Sequence, residues 1–133
     1  AENWAAMVGQ WPQPFPTDDA VLDFFGPVAG RYFLDSFSRR ADGWYLHGDV
    51  STFRDISEEW GRRHFWDEWT ASTVPALLIE GEFTITPPGQ MREMAKRRPG
   101  TGYVRIEGAG HLVHDDRPGE YRAVVEEFLT GLP

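Results

Sequence analysis

His111 is the side chain in this sequence best placed for proton-transfer chemistry. It follows an alternating apolar stretch, Tyr103 to Ile106, and is delivered by Gly108-Ala109-Gly110. The pattern predicts a strand over 102–107 with an imidazole on the loop at its end. Imidazole has an ordinary pKa near neutrality, and a sheet fixes whatever it carries at its edge, so the expected role is general base. A base of this kind serves a nucleophile. The chain has no cysteine, which removes thiolate catalysis, and it offers no other convincing nucleophile.

Other polar groupings read as structural. His114, with Asp115 and Asp116, follows closely and is expected to be a surface group that helps orient the loop. A zinc site would need a third and a fourth ligand in reach, and these aspartates are too local for tetrahedral geometry, so no metal is expected. No cofactor is expected either. Glu58-Glu59, Glu126-Glu127 and Asp18-Asp19 are sequence neighbours, which on a helix do not face one site. Gly100-Thr101-Gly102 precedes a strand and lacks the later glycine of a dinucleotide loop, so it reads as a turn.

The elements that must position His111 fall into two styles. Residues 1–72 are aromatic-rich and irregular. Pro12, Pro14 and Pro16 make an extended start, and Thr17-Asp18-Asp19 opens a helix with Val21, Leu22, Phe24 and Phe25 as its apolar stripe, ended by Gly26-Pro27. A second helix is expected from Pro27 to Arg40, with Phe33, Leu34 and Phe37 inward. Asp42-Gly43 is a turn before a short extended piece, Trp44-Tyr45-Leu46. A third helix is expected from Ser51 to Arg63, with Phe53, Ile56 and Trp60 at helical spacing, and a short fourth from Phe65 to Trp69. Residues 73–133 change period. Val74-Pro75-Ala76-Leu77-Leu78-Ile79 is a continuous apolar run, the mark of a strand buried on both faces. Thr86-Pro87-Pro88 opens a helix to Arg98, the strand leading to His111 follows, and a last helix runs over 119–131. Strand, helix, strand, helix with short loops is a parallel β-α-β unit with a covering helix, so the fold class is α/β. Two parallel strands do not make a stable sheet, so the expectation is that another chain completes it or that the helical half covers an unusual minimal sheet.

Composition narrows the partners. The 133 residues are the size of one domain, and 41% hydrophobic residues suffice for a core. A net charge of −8 repels a nucleic-acid backbone. Lys96-Arg97-Arg98 is the one basic run, and it ends a helix, where cations suit the dipole. No long apolar run predicts a membrane segment, and Ala1-Glu2-Asn3-Trp4 has no leader-like pattern. The expected setting is cytoplasmic.

Three segments carry a resemblance: Val74-Pro75-Ala76-Leu77-Leu78-Ile79-Glu80-Gly81, Thr86-Pro87-Pro88-Gly89-Gln90-Met91, and Gly108-Ala109-Gly110-His111-Leu112-Val113-His114. With the terminal helix ending in Glu127-Phe128-Leu129, they resemble the C-terminal end of α/β-hydrolase-fold enzymes. Residues 1–72 are similar to the helical cap inserted before the last two strands, and 73–133 to the end of the core. The resemblance implies that His111 is the catalytic histidine. The family's nucleophile sits in a Gly-x-Ser-x-Gly elbow upstream of the cap, and none of Ser36, Ser38, Ser51, Ser57 and Ser72 lies in that setting. The implied partner is an N-terminal half on a separate chain, carrying that elbow or an aspartate nucleophile. Many members carry an acidic residue about three positions after the glycine matching Gly81. Here a threonine stands near that place, and Glu82 is the nearest carboxylate. Other members keep the acid after the preceding strand, which favours an acid in the missing half and leaves Glu82 the lesser candidate.

The expected function is therefore hydrolysis of an ester, amide or lactone-type bond in a small apolar substrate. His111 is base, then acid. Trp60, Phe65, Trp66, Trp69 and Leu112 are the candidate pocket residues, although aromatic side chains at helical spacing more often pack a core. Trp4 and Trp11 are expected contacts for the missing half. The alternative is a non-catalytic remnant that binds a hydrophobic ligand or a partner.

Overall fold

The structure, a computed structural model, describes residues 6–132. The chain forms two compact units, Ala1–His64 and Phe65–Pro133. Trp4 lies outside the described residues.

The first unit is built around aromatic side chains. Helix α1 spans Asp18–Phe25; Thr17 caps it by accepting the Ala20 N–H at 3.1 Å, and Gly26, at φ 84°, ends it. Helix α2 covers only Ala29–Leu34. The expected helix to Arg40 does not form. Instead, β1 (Phe37–Arg40) pairs antiparallel with β2 (Gly43–Leu46) across the Asp42-Gly43 turn. The hairpin wins because it buries Phe37 and its cross-strand partner Leu46 with Val8, Phe15 and Val21. Phe15 adds a short bridge to Trp44, with N–H to O distances of 2.9 and 2.8 Å. Phe25 and Phe33 stack at 4.1 Å, and Trp11 meets both rings edge-on. Trp11 is thus engaged within this unit. Helix α3 spans Val50–Arg62. Its N-cap, Asp49, accepts the Ser51 N–H at 2.8 Å, which holds that carboxyl below the usual range. Phe53 packs on the aromatic cluster, while Trp60 is 71% exposed.

The second unit carries α4 (Trp66–Ala71), β3 (Leu77–Phe83), α5 (Gln90–Arg97), β4 (Gly102–Gly110), α6 (Val113–Asp116) and α7 (Pro118–Thr130). The short helix α4 falls within this unit. Strands β3 and β4 are parallel, with α5 as the crossover. Ile79, Val104 and Ile106 share one face with Ala109, Val113 and Tyr121 of α7. The apolar run begins at Val74, yet pairing starts only with Gly102 N–H to Ala76 O at 2.9 Å. Arg98 accounts for the delay. Its buried guanidinium donates to the carbonyls of Ser72, at 2.8 Å, and Val74, occupying groups that a neighbouring strand would use.

The β3–β4 sheet is thinly covered. Among the described residues, Ile106, Ala109 and Val113 form its buried apolar cluster, while Phe83, Ile85 and Leu129 are 70%, 79% and 56% exposed. No helix among the described residues is long and apolar enough to cross a membrane.

Candidate active site

His111 is the first residue after β4, and local chemistry fixes it there. Up to the pair Gly81↔Ile106 the two strands run in step; the next pair is Phe83↔Gly110, so the register slips and β4 bulges. Gly108 makes the bulge possible at φ 66°. Beyond it, β4 crosses so close to β3 that a Cβ on Gly81 would lie 1.9 Å from the Gly110 carbonyl oxygen. The chain then turns at once into α6. The Asp116 carboxylate reaches back to accept the Gly110 N–H at 2.7 Å, and the N–H groups of Asp115 and Asp116 donate to Leu112 O at 3.0 and 3.1 Å. His111 therefore sits on a closed loop anchored on both sides. Of His114, Asp115 and Asp116, it is Asp116 that ties the loop back to Gly110. His114 lies 3.5 Å from Asp115 and beside the Tyr121 ring.

The bulge brings His111 over the end of β3, where its Nδ1 is 3.2 Å from the hydroxyl of Thr84. Thr84 Oγ1 is also 3.3 Å from Thr86 Oγ1 and accepts the Thr86 N–H at 3.3 Å. Sequence reasoning noted a threonine near the acid's place but did not assign it this contact. Its spacing after Gly81 was the available signal. The imidazole itself is exposed.

The carboxylates nearby are committed elsewhere. Glu82 Oε2 accepts the Gly108 N–H at 2.9 Å, and Oε1 pairs with Arg105 at 3.3 Å, so Glu82 pins the bulge rather than contacting His111. Glu82→Ala is expected to loosen β4 and destabilise the second unit by about 1 kcal/mol, measured by urea titration. Glu80, buried, accepts from the Tyr103 hydroxyl, and that bond holds the phenol above its usual pKa, with Arg92 opposing. Among the described residues, no carboxylate is hydrogen-bonded to His111, and no three metal-ligating side chains converge.

The remaining pocket residues are scattered. Trp66 lies under the Arg97 guanidinium at 4.3 Å. Trp69 donates its indole N–H to Met94 O at 2.8 Å and carries Arg98 over its ring. Both indoles are thus engaged in docking α4 on the end of α5. Phe65 is 52% exposed at the start of α4, and Trp60 belongs to the first unit. Leu112, half-buried, adjoins His111 in the chain, and Phe83 and Ile85 flank Thr84.

The family model described as "Alpha/beta hydrolase family" matches residues 2–124. This chain belongs to the alpha/beta hydrolase family. Epoxide hydrolase A of Mycobacterium tuberculosis is 30% identical over 105 residues, covering 76% of this chain and 30% of that protein. The mouse (lyso)-N-acylphosphatidylethanolamine lipase is 28% identical over 131 residues, covering 88% of this chain and 38% of the lipase. Among solved structures, E-2-(acetamidomethylene)succinate hydrolase superposes with a TM-score of 0.76 at 19% identity, covering 98% of this chain and 52% of that one. The chain thus spans well under two-thirds of the length of these hydrolase relatives, and the α/β fold class expected from the sequence holds.

Proposed function

We propose that this chain provides the general base of a hydrolase acting on an ester, amide or lactone-type bond in a small apolar substrate. The observation that carries the reading is His111, held at the end of β4 with Nδ1 bonded to β3 and its ring exposed. With a serine nucleophile, Nε2 takes the hydroxyl proton and returns it to the leaving group; with an aspartate nucleophile, it takes a proton from the water that hydrolyses the ester intermediate. The nucleophile, in a Gly-x-Ser-x-Gly elbow or an aspartate at the same place, comes from a segment that completes the sheet beside β3 and β4. An N-terminal half on a separate chain would supply it. The thin cover of the sheet and the exposed Phe83 and Ile85 support such a neighbour. A cysteine-free chain also suits a cytoplasmic setting.

The enzyme that contains this chain, isolated from its native source, should hydrolyse a p-nitrophenyl ester and label with a fluorophosphonate probe. An aspartate nucleophile would instead leave the probe unreacted and open an epoxide. Failure with probe, ester and epoxide alike would sink the reading.

A second reading, a non-catalytic binder of a hydrophobic ligand, draws on a different observation. Met7, Trp11, Phe24, Phe25 and Phe33 line an open groove of about 590 Å³ in the first unit. Under that reading, a fluorescent fatty acid would bind to the isolated enzyme, and binding would be lost in Trp11→Ala with no turnover of any of the three substrates.

A further inference from the structure

We propose that Thr84 is the positioning residue for His111 and that, being a hydroxyl, it leaves the imidazole free to exchange between two tautomers, only one of which is a base at Nε2. The proposal rests on the role of His111 given above and adds what controls it.

The argument is a count of donors and acceptors. A threonine hydroxyl has one hydrogen to give and two lone pairs to receive. Thr84 Oγ1 has three polar neighbours: the Thr86 N–H at 3.3 Å, the Thr86 hydroxyl at 3.3 Å and His111 Nδ1 at 3.2 Å. The backbone N–H can only donate, so it takes one lone pair. One hydrogen and one lone pair remain for two neighbours, each of which can act either way.

Two arrangements satisfy every group. In the first, His111 Nδ1–H donates to Thr84, whose hydrogen goes to Thr86 Oγ1. Nε2 then carries a lone pair and can accept a proton. In the second, the Thr86 hydroxyl donates to Thr84, whose hydrogen goes to Nδ1. The ring proton then sits on Nε2, which is a donor and no base. The two states contain the same number of hydrogen bonds over the same distances, so neither is strongly preferred. A carboxylate accepts only, and would enforce the first arrangement. No carboxylate is available to do so within the described residues: Glu80, Glu82 and Asp116 hold Tyr103, Gly108 with Arg105, and Gly110. Passing from one state to the other moves the hydroxyl hydrogens along the chain and exchanges the ring proton between nitrogens through solvent, which reaches the exposed imidazole.

Nitrogen-15 NMR of histidine-labelled intact protein, at a pH where the imidazole is neutral, reads the tautomer directly. For wild type, both His111 ring nitrogens should show shifts between the protonated and unprotonated limits. In Thr84→Asp, Nδ1 should move to the protonated limit and Nε2 to the unprotonated one. In Thr86→Val the Thr84 hydrogen loses its alternative acceptor, so the balance should move toward Nε2–H, and Thr86→Ser should restore the wild-type pattern. Thr86→Val also keeps the Thr84 contact, so it separates the relay from simple loss of structure. In the active enzyme, kcat/KM should rise by up to about twofold in Thr84→Asp, the ceiling when one of two comparable tautomers becomes the sole one, and fall in Thr86→Val, with KM unchanged. A wild-type His111 locked as one tautomer, or a pattern unmoved by both variants, overturns the proposal. Tautomer shifts as described, with no response of turnover, would leave the relay standing and remove His111 from catalysis.

Discussion

Replacing His111 by alanine in the enzyme that contains this chain is expected to lower kcat/KM by roughly a thousandfold or more, with little change in KM. The size follows from the role proposed for the residue. Its backbone is fixed by β4 on one side and by α6 and the Asp116–Gly110 bond on the other, so truncation leaves the loop in place. Under the proposed role, what disappears is the general base and the acid that protonates the leaving group. The ring is exposed and packs little, so the denaturation midpoint should barely move. A steady-state comparison on an ester substrate, with a urea titration alongside, checks both halves. Near wild-type turnover in the variant would show that another group is the base. A large loss of stability would show that the histidine is structural.

Gly81→Ala is expected to produce the largest stability effect in the second unit. The added methyl carbon would stand 1.9 Å from the Gly110 carbonyl oxygen and 2.9 Å from that of Ala109. Both are backbone atoms, so relief requires β4 to move away from β3. The cost is about 3 kcal/mol, the upper part of the range for overpacking, because the small cluster of Ile106, Ala109 and Val113 has little other packing to absorb it. The displacement falls on the segment that delivers His111, so the Thr84–His111 contact should break and activity fall with stability. Gly119→Ala is the matching control: its Cβ meets open space at the start of α7, and the change should be neutral or slightly stabilising. Denaturant midpoints of the two variants decide the matter. Equal midpoints would contradict the close strand approach.

Much of this was legible in the sequence because its causes are local. The alternating stretch leading to His111 marks a strand, and the structure puts His111 at its end, although the strand continues past the expected 107 through Gly110. The helices Val50–Arg62 and Pro118–Thr130 follow from apolar residues at helical spacing. The misses have non-local causes. Phe33, Leu34 and Phe37 fit helical spacing, yet Phe37 belongs to a strand because Leu46 and Phe15 bury it from elsewhere in the chain. Val74 fits the apolar run of β3, but Arg98, 24 residues on, takes its carbonyl. The acid position is the most instructive case. Glu82 was the nearest carboxylate by sequence, but a strand alternates its faces, and the register slip decides which side chain reaches His111. That slip depends on Gly108, 26 residues beyond Glu82, and it brings Thr84 to the imidazole while Glu82 holds the bulge.

The most direct test of the central claim is chemical rescue. His111→Gly leaves a ring-sized space at the end of β4 with the loop anchors intact, so free imidazole added to the variant enzyme can take the place of the missing side chain. If this chain provides the general base, ester hydrolysis should return with rising imidazole and saturate, while wild type stays indifferent. Turnover that imidazole does not restore, in a variant that remains folded by its denaturation profile, would contradict a catalytic role for His111.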